Sequence, residues 1–392
     1  MRRLTALLAA PFLCLTPLLH TQTIPAKPAP AKPTPDVLIF ANGDQLTGQF
    51  ERAVAGSVVF KSDMAGELTI GFDKIKELRS GSGKSEFAVL RKGAPFTKVP
   101  APTGTLEFAG GNIVVTPGTG PAETVAAKDV AYVIDKPTYE KAIKHQAGPL
   151  QGWNGNATGG ATIVRSTETG TTLSAALHLI RAIPLVPYLP ARNRTLFNVA
   201  ESYGKLSTPV IPQTVPASPP SVVKTNIFHA DGERDEYFSP RLYALGETAF
   251  DHNFSQGLYL QQVYGGGVGW TPVKNAKQQL DLKADVHYEE QEFMQQTGTA
   301  YVPSLNLIGT TLAEAYHRNL PYKLVITESG NYLPAWNDAT AYSANATATL
   351  ALPVYKRLSA SFSTTDNYLN NPSPGYKKNS YQLITGINYA LH

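Results

Sequence analysis

The sequence predicts an all-β protein, built around an antiparallel transmembrane β-barrel of about twelve strands behind a small β module. Three observations carry this. From 151 to 392 the chain alternates apolar and polar residues in strand-length segments, which sends successive side chains to opposite faces. Of its 19 tyrosines only Tyr132 and Tyr139 lie before that region, and tyrosine, with an apolar ring and a polar tip, suits membrane–water boundaries. The chain opens on what reads as an export signal.

That signal is assigned to 1–23: Arg2 and Arg3 form a charged start, and Leu4 to Leu19 an apolar stretch broken by Pro11 and Pro17. It is too short and interrupted for a membrane anchor, and cleavage is expected between His20 and Ile24. Cys14, the only cysteine, lies inside it, and Leu13 stands where a lipoprotein signal wants a small residue. Cleavage therefore leaves a chain without disulfides, thiol catalysis or thiolate metal sites. A net charge of +4, with 16% charged residues of dispersed sign, gives no reason to expect nucleic acid as a partner.

Residues 24–35 (IPAKPAPAKPTP) read as a semi-rigid linker, because proline favours extended backbone. Residues 36–136 read as a periplasmic β module. Val37–Phe40 pairs with Leu46–Phe50 across the tight turn Asn42-Gly43-Asp44; Val58–Phe60, Leu68–Ile70 and Ile75–Leu78 continue the meander. Gly104–Phe108, Ile113–Val115 and Val130–Ile134 echo it, suggesting a tandem of an SH3-like unit. Residues 137–150 form a helical connector, with Pro137 at the helix start.

In the barrel region, strands are expected near 152–165, 170–183, 193–206, 222–231, 235–250, 255–270, 276–292, 305–318, 321–333, 339–352, 355–366 and 379–391. With the amino terminus in the periplasm, the long polar loops Ser207–Ser221, Phe293–Ser304 and Asn367–Asn379 fall outside. Gly232–Arg234, Asn319-Leu320 and Pro353-Val354 are short inner turns, and Pro184–Arg192 is a longer inner loop. In the seventh strand Leu280, Leu282, Ala284, Val286 and Tyr288 face lipid, which turns Asp281, Lys283, Asp285, His287 and Glu289 to the lumen. In the tenth, Tyr342, Ala344, Ala346, Ala348 and Leu350 take the outer face, and in the last Tyr381, Leu383, Ile387, Tyr389 and Leu391 do.

The region resembles the salt-induced outer-membrane protein family, a bacterial domain family of unknown function. The resemblance is carried by Trp153 with Gly155, Gly159 and Gly160, the turn Ser166–Gly170, the segment Tyr264–Trp270, Leu280–Phe293 and Tyr381–Leu391. Phe40–Gly48 is similar to the small β domain that often precedes such barrels. The resemblance implies an outer-membrane location and no particular reaction. Gly386, Tyr389 and Leu391 resemble the terminal signal read by the barrel assembly machinery, here followed by His392 rather than ending on an aromatic.

The lumen set from Asp281 to Glu289 admits three readings: a polar constriction selecting charged solutes, a divalent-ion site through Asp285, His287 and Glu289, or a filled interior of ion pairs. The last is favoured, so no metal site is assigned. Gly265-Gly266-Gly267-x-Gly269 lacks a following helix and lysine, so it is not a phosphate loop; such glycines bend a strand or make room for a large lumen side chain. His178, His252, His287 and His317 could serve a serine hydrolase, yet no serine–histidine spacing stands out. The expectation is a non-enzymatic barrel without cofactors, structural or passing or binding small polar solutes, in contact with outer-membrane lipid and lipopolysaccharide. The alternative is a membrane-embedded lipid or lipopolysaccharide hydrolase.

Overall fold

The computed structural model describes residues 34–81, 85–93, 101–145, 147–165, 169–208, 221–295, 301–374 and 376–391. The export signal, nearly all of the proline-rich linker, the tip of the first hairpin and the centres of the 207–221 and 293–304 loops lie outside the described residues. Strands are the dominant element of the described chain, and no described helix is long and apolar enough to cross a membrane.

One compact unit takes in residues up to 86 and again 102–132. Its strands are β1 (Asp36–Phe40), β2 (Gln45–Val54), β3 (Ser57–Ser62), β4 (Gly66–Gly71) and β5 (Ile75–Arg79). After β6 (Phe87–Arg91) follow β7 (Thr103–Ala109), β8 (Asn112–Thr116), β9 (Glu123–Ala126) and β10 (Val130–Asp135). The meander is as expected: β1 pairs β2 and β5, β2 pairs β3, and β3 pairs β4. Gly43 takes the positive φ that the first turn needs, with the Asp44 amide donating to the Asn42 side chain at 3.1 Å. The echo is also present, because each half carries a 3-10 turn, Phe72–Lys74 or Ala127–Asp129, before its last strand. Leu38, Phe60, Leu78, Phe108 and Val115 lie in its core, and the Asp36 carboxylate accepts the amides of Phe50 and Gly81.

Past β10, where a helical connector over 137–150 was expected, residues 136–144 form a helical turn and a π-helix, capped at the start by Asp135, and 147–150 are not helical. Arg181 then fastens the entry to the barrel by donating to the carbonyls of Ala147, Gly148 and Gln151.

The barrel closes with β11 (Trp153–Arg165), β12 (Thr169–Ile183), β13 (Asn193–Thr208), β14 (Ser221–Tyr237), β15 (Leu242–Asn253) and β16 (Leu258–Lys274). The second half is β17 (Gln278–Phe293), β18 (Leu305–Asn319), β19 (Val325–Pro334), β20 (Tyr342–Tyr355), β21 (Leu358–Leu369) and β22 (Asn379–Leu391). All neighbours are antiparallel, and β22 returns to β11 from Gly155↔Leu391 to Gly160↔Gly386. A closed ring leaves no strand edge unpaired, as hydrocarbon requires.

Three expected turns are displaced. Gly232-Glu233-Arg234 lies inside β14, and the chain turns at 238–241 instead. The alternation His229, Asp231, Glu233, Asp235 runs through the glycine unbroken, so the ladder continues to Tyr237. The tight turn expected at Pro353-Val354 moves to Lys356-Arg357, where Lys356 takes φ +44°, and the turn expected at Asn319-Leu320 moves to 320–324. A loop at 184–192 joins β12 and β13 at the expected place in the chain.

Candidate functional site

The site is the barrel lumen, and β17 shows how the chain builds it. Asp281, Asp285, His287, Glu289 and Gln291 are buried, while Leu282, Val286 and Tyr288 alternate with them on the exposed outer face. The register expected from sequence is therefore the observed one. Turning the strand the other way would put its ionised groups into hydrocarbon.

Asp281 and Lys283 join a network near the end of the barrel that carries Trp153. Arg194, on β13, donates to Asp235 at 2.6 Å, to Asp281 at 3.1 Å and to the Tyr243 hydroxyl at 3.2 Å, and lies 3.9 Å from Glu233. Its guanidinium also sits 5.2 Å from the Tyr243 ring centre. Lys283 donates to Glu233, while Thr271 and Gln279 donate to Asp281. Asp235 and Tyr243 are wholly buried, so the charges are neutralised by one another rather than by water.

Asp285, His287 and Glu289 come together farther along. His287 Nδ1 lies 3.2 Å from Asp285 and 3.0 Å from the Thr311 hydroxyl, while Nε2 is 3.6 Å from Glu289. Gln261 and Gln291 each donate to Glu289 at 2.6 Å. This is a packed ion-pair cluster, and among the described residues no group of three such side chains is arranged to hold a metal ion. Nor do Asp285, His287 and Thr311 form a relay: acid and hydroxyl meet the same ring nitrogen, whereas a nucleophile's base must face them with different ones. His178 approaches Asn198, and His252 stacks on Phe254 with ring centres 4.5 Å apart. His317 is exposed near the end of β18.

The glycine segment has the second of its expected roles. Gly265, Gly267 and Gly269 face the lumen opposite His287, Asp285 and Lys283. A methyl group on Gly269 would collide with the Tyr243 ring, one on Gly267 with the β17 backbone, and one on Gly265 would sit 3.2 Å from His287 Cβ. Glycine here makes room for large polar side chains.

Sequence reasoning missed β14 as a second charged strand. His229, Asp231, Glu233 and Asp235 line its inner face, opposite Glu247 and Asp251 of β15. His229 is clamped between Asp251 at 2.6 Å and Asp231 at 2.7 Å, and Asn198 also donates to Asp231. The signal was the same alternation as on β17, hidden by the turn expected at Gly232. Glu247 reaches Asp285 across the lumen side of β16. The opposite wall is uncharged. Thr347 meets Thr365 at 3.1 Å, Thr349 meets Ser363 at 2.8 Å, and Asn345 donates to Asn367. These side chains are half-buried, whereas those of β17 are buried.

The terminal residues lie at the seam. Tyr389 is exposed on the outer face and Leu391 pairs Gly155. Gly386 lets β22 approach β11 closely, since any side chain there would strike the Gly159 carbonyl.

A search of curated proteins finds no match for the chain. Among solved structures, it is similar to an outer-membrane channel from Pseudomonas putida F1, at 11% identity and a TM-score of 0.33, covering 62% of this chain and 97% of that one. It is also similar to the translocator domain of the autotransporter NalP from Neisseria meningitidis, at 11% identity and a TM-score of 0.32, covering 61% and 88%. The transport unit of the autotransporter AIDA-I from Escherichia coli aligns at 11% identity and 0.28, covering 63% and 93%. Residues 204–391, from the last part of β13 to the end of β22, match the family described as protein of unknown function, DUF481. That family is the one known as salt-induced outer-membrane proteins, so the match bears out the resemblance read from the sequence.

Proposed function

We propose that this protein sits in the bacterial outer membrane, with its amino-terminal module in the periplasm, and that its lumen binds and passes small cationic solutes. The observation that carries this is the imbalance of charge on the lumen wall. Asp231, Glu233, Asp235, Glu247, Asp251, Asp281, Asp285 and Glu289 face inward, against Arg194, Lys274 and Lys283 and the histidines 178, 229, 287 and 317. A low-dielectric channel with an excess of one sign concentrates the opposite ion. The hydroxyl and amide wall of β20 and β21 supplies neutral ligands facing the charged one, so a cation need not shed its shell without replacement.

The orientation is supported by the connections. The end with Trp153 has the turns 238–241, 275–277, 320–324 and 356–357 and one longer loop at 184–192, while Thr208, Phe293 and Leu369, the strand ends before the three longest connections, lie at the other end. Long loops outside and short turns inside are the usual asymmetry of such barrels. In planar bilayers under a KCl gradient, discrete current steps with a reversal potential on the cation side are expected. Anion preference would overturn the proposal, as would a barrel that stays silent even with its outer mouth unlatched.

A further inference from the structure

The geometry points to a latched gate at the outer mouth, where the 254–257 turn between β15 and β16 meets residues 370–374 and 376–378, which follow β21, with Gln256 as the latch. The inference concerns regulation of the passage proposed above and rests on that reading for its consequence. In the twelve-strand ring four strands separate β16 from β21, and four separate β22 from β15. Walls placed so should stand a barrel's width apart. Instead they touch.

The Gln256 amide donates to the carbonyls of Asn367 at 2.9 Å and Lys378 at 2.6 Å, and its side-chain oxygen accepts from Asn253 at 2.8 Å. The Ser373 amide donates to the Gln256 carbonyl at 3.3 Å, and the Ser373 hydroxyl to that of Met294 at 3.2 Å. Asn371 donates to Gln291 at 2.9 Å. Beneath these bonds Leu258, Phe293 and Leu369, from three strands, close a small apolar cluster. Gly257 has φ +69°, and a Cβ there would come within 2.6 Å of Ser373 Cβ and 2.8 Å of the Tyr376 ring, so the connection presses directly on the turn.

This closure differs in kind from the ladder around it. It consists of a few isolated hydrogen bonds from turn and connection residues to strand ends and to one another, over one small apolar cluster. Its polar groups would be satisfied by water on opening, so separation carries no large penalty for unpaired groups. The barrel wall can stay intact while the mouth opens.

The experiment uses Gln256→Leu, which removes both cross-mouth donors and keeps the side chain's bulk, with Asn371→Ala as a second variant breaking a different bond. Two readouts are taken on full-length protein that shows a heat-modifiable band: open probability in planar bilayers, and maleimide labelling of Ser373→Cys, buried in the closed mouth. Two hydrogen bonds lost predict about tenfold higher open probability and about tenfold faster labelling for Gln256→Leu. Asn371→Ala is expected to shift both in the same direction, and serves alone if Gln256→Leu gives no folded band. Unchanged labelling and unchanged current in every folded variant would overturn the gate. Faster labelling with no current, or with anion-selective current, would support the gate and overturn the cation passage.

Discussion

Replacing Arg194 with methionine tests whether the buried charges of the lumen depend on one another. Methionine keeps much of the side chain's length and removes every donor. Arg194 is buried and bonds Asp235 at 2.6 Å, Asp281 at 3.1 Å and the Tyr243 hydroxyl at 3.2 Å. Asp281 keeps Thr271 and Gln279 as donors, but Asp235, with no exposed surface, loses the Arg194 bond to one oxygen, and its other oxygen has no partner among the described residues. Removing one member of a buried ion pair costs about 3–5 kcal/mol, because the partner stays charged without compensation. The lost bond to Tyr243 falls within that figure rather than adding to it. The assay is urea unfolding of the refolded barrel, scored by the heat-modifiable band on gels. At a urea dependence of about 1–3 kcal/mol per molar, the midpoint should fall by at least about 1 M. Adding Asp235→Asn to Arg194→Met removes the stranded charge and should recover more than half of the loss. A single variant within about 1 kcal/mol of the parent, or a double variant no better than the single, would refute the argument that these charges are held by mutual pairing.

Val286 is 52% exposed on the outer face and Asp285 is buried on the inner one. Arginine at 286 should cost about 2–4 kcal/mol in the membrane, so Val286→Arg should lower the folded yield more than Asp285→Arg; the reverse order would mean a strand shifted by one residue. Deleting Tyr389–His392 removes the Gly155↔Leu391 and Ala157↔Tyr389 pairs of the seam and opens two strand edges in hydrocarbon. Fractionation should then find the chain in the periplasm or degraded, with no heat-modifiable band, and normal insertion would refute the closure argument.

The strands, their number and the face each side chain takes were legible in the chain itself. Alternation is a local property, and in a membrane barrel it has one consequence: residues that water must not leave turn inward. Leu282, Val286 and Tyr288 against Asp281, Asp285 and Glu289 could be sorted without a structure. The strand ends were less legible, because Gly232 looks like a turn when read alone and only the charges on either side of it show a continuing ladder. What the chain alone could not decide was which strands meet across the lumen. Arg194 lies 87 residues from Asp281, and Gln256 lies 122 from Lys378. Such pairings depend on ring closure and on the inward fold of the mouth, and strand periodicity carries no information about contacts made across a cavity. The partner of each lumen charge, the uncharged wall facing them and the contact of the 254–257 turn with Asn367, Ser373 and Lys378 were therefore decided by the tertiary structure alone.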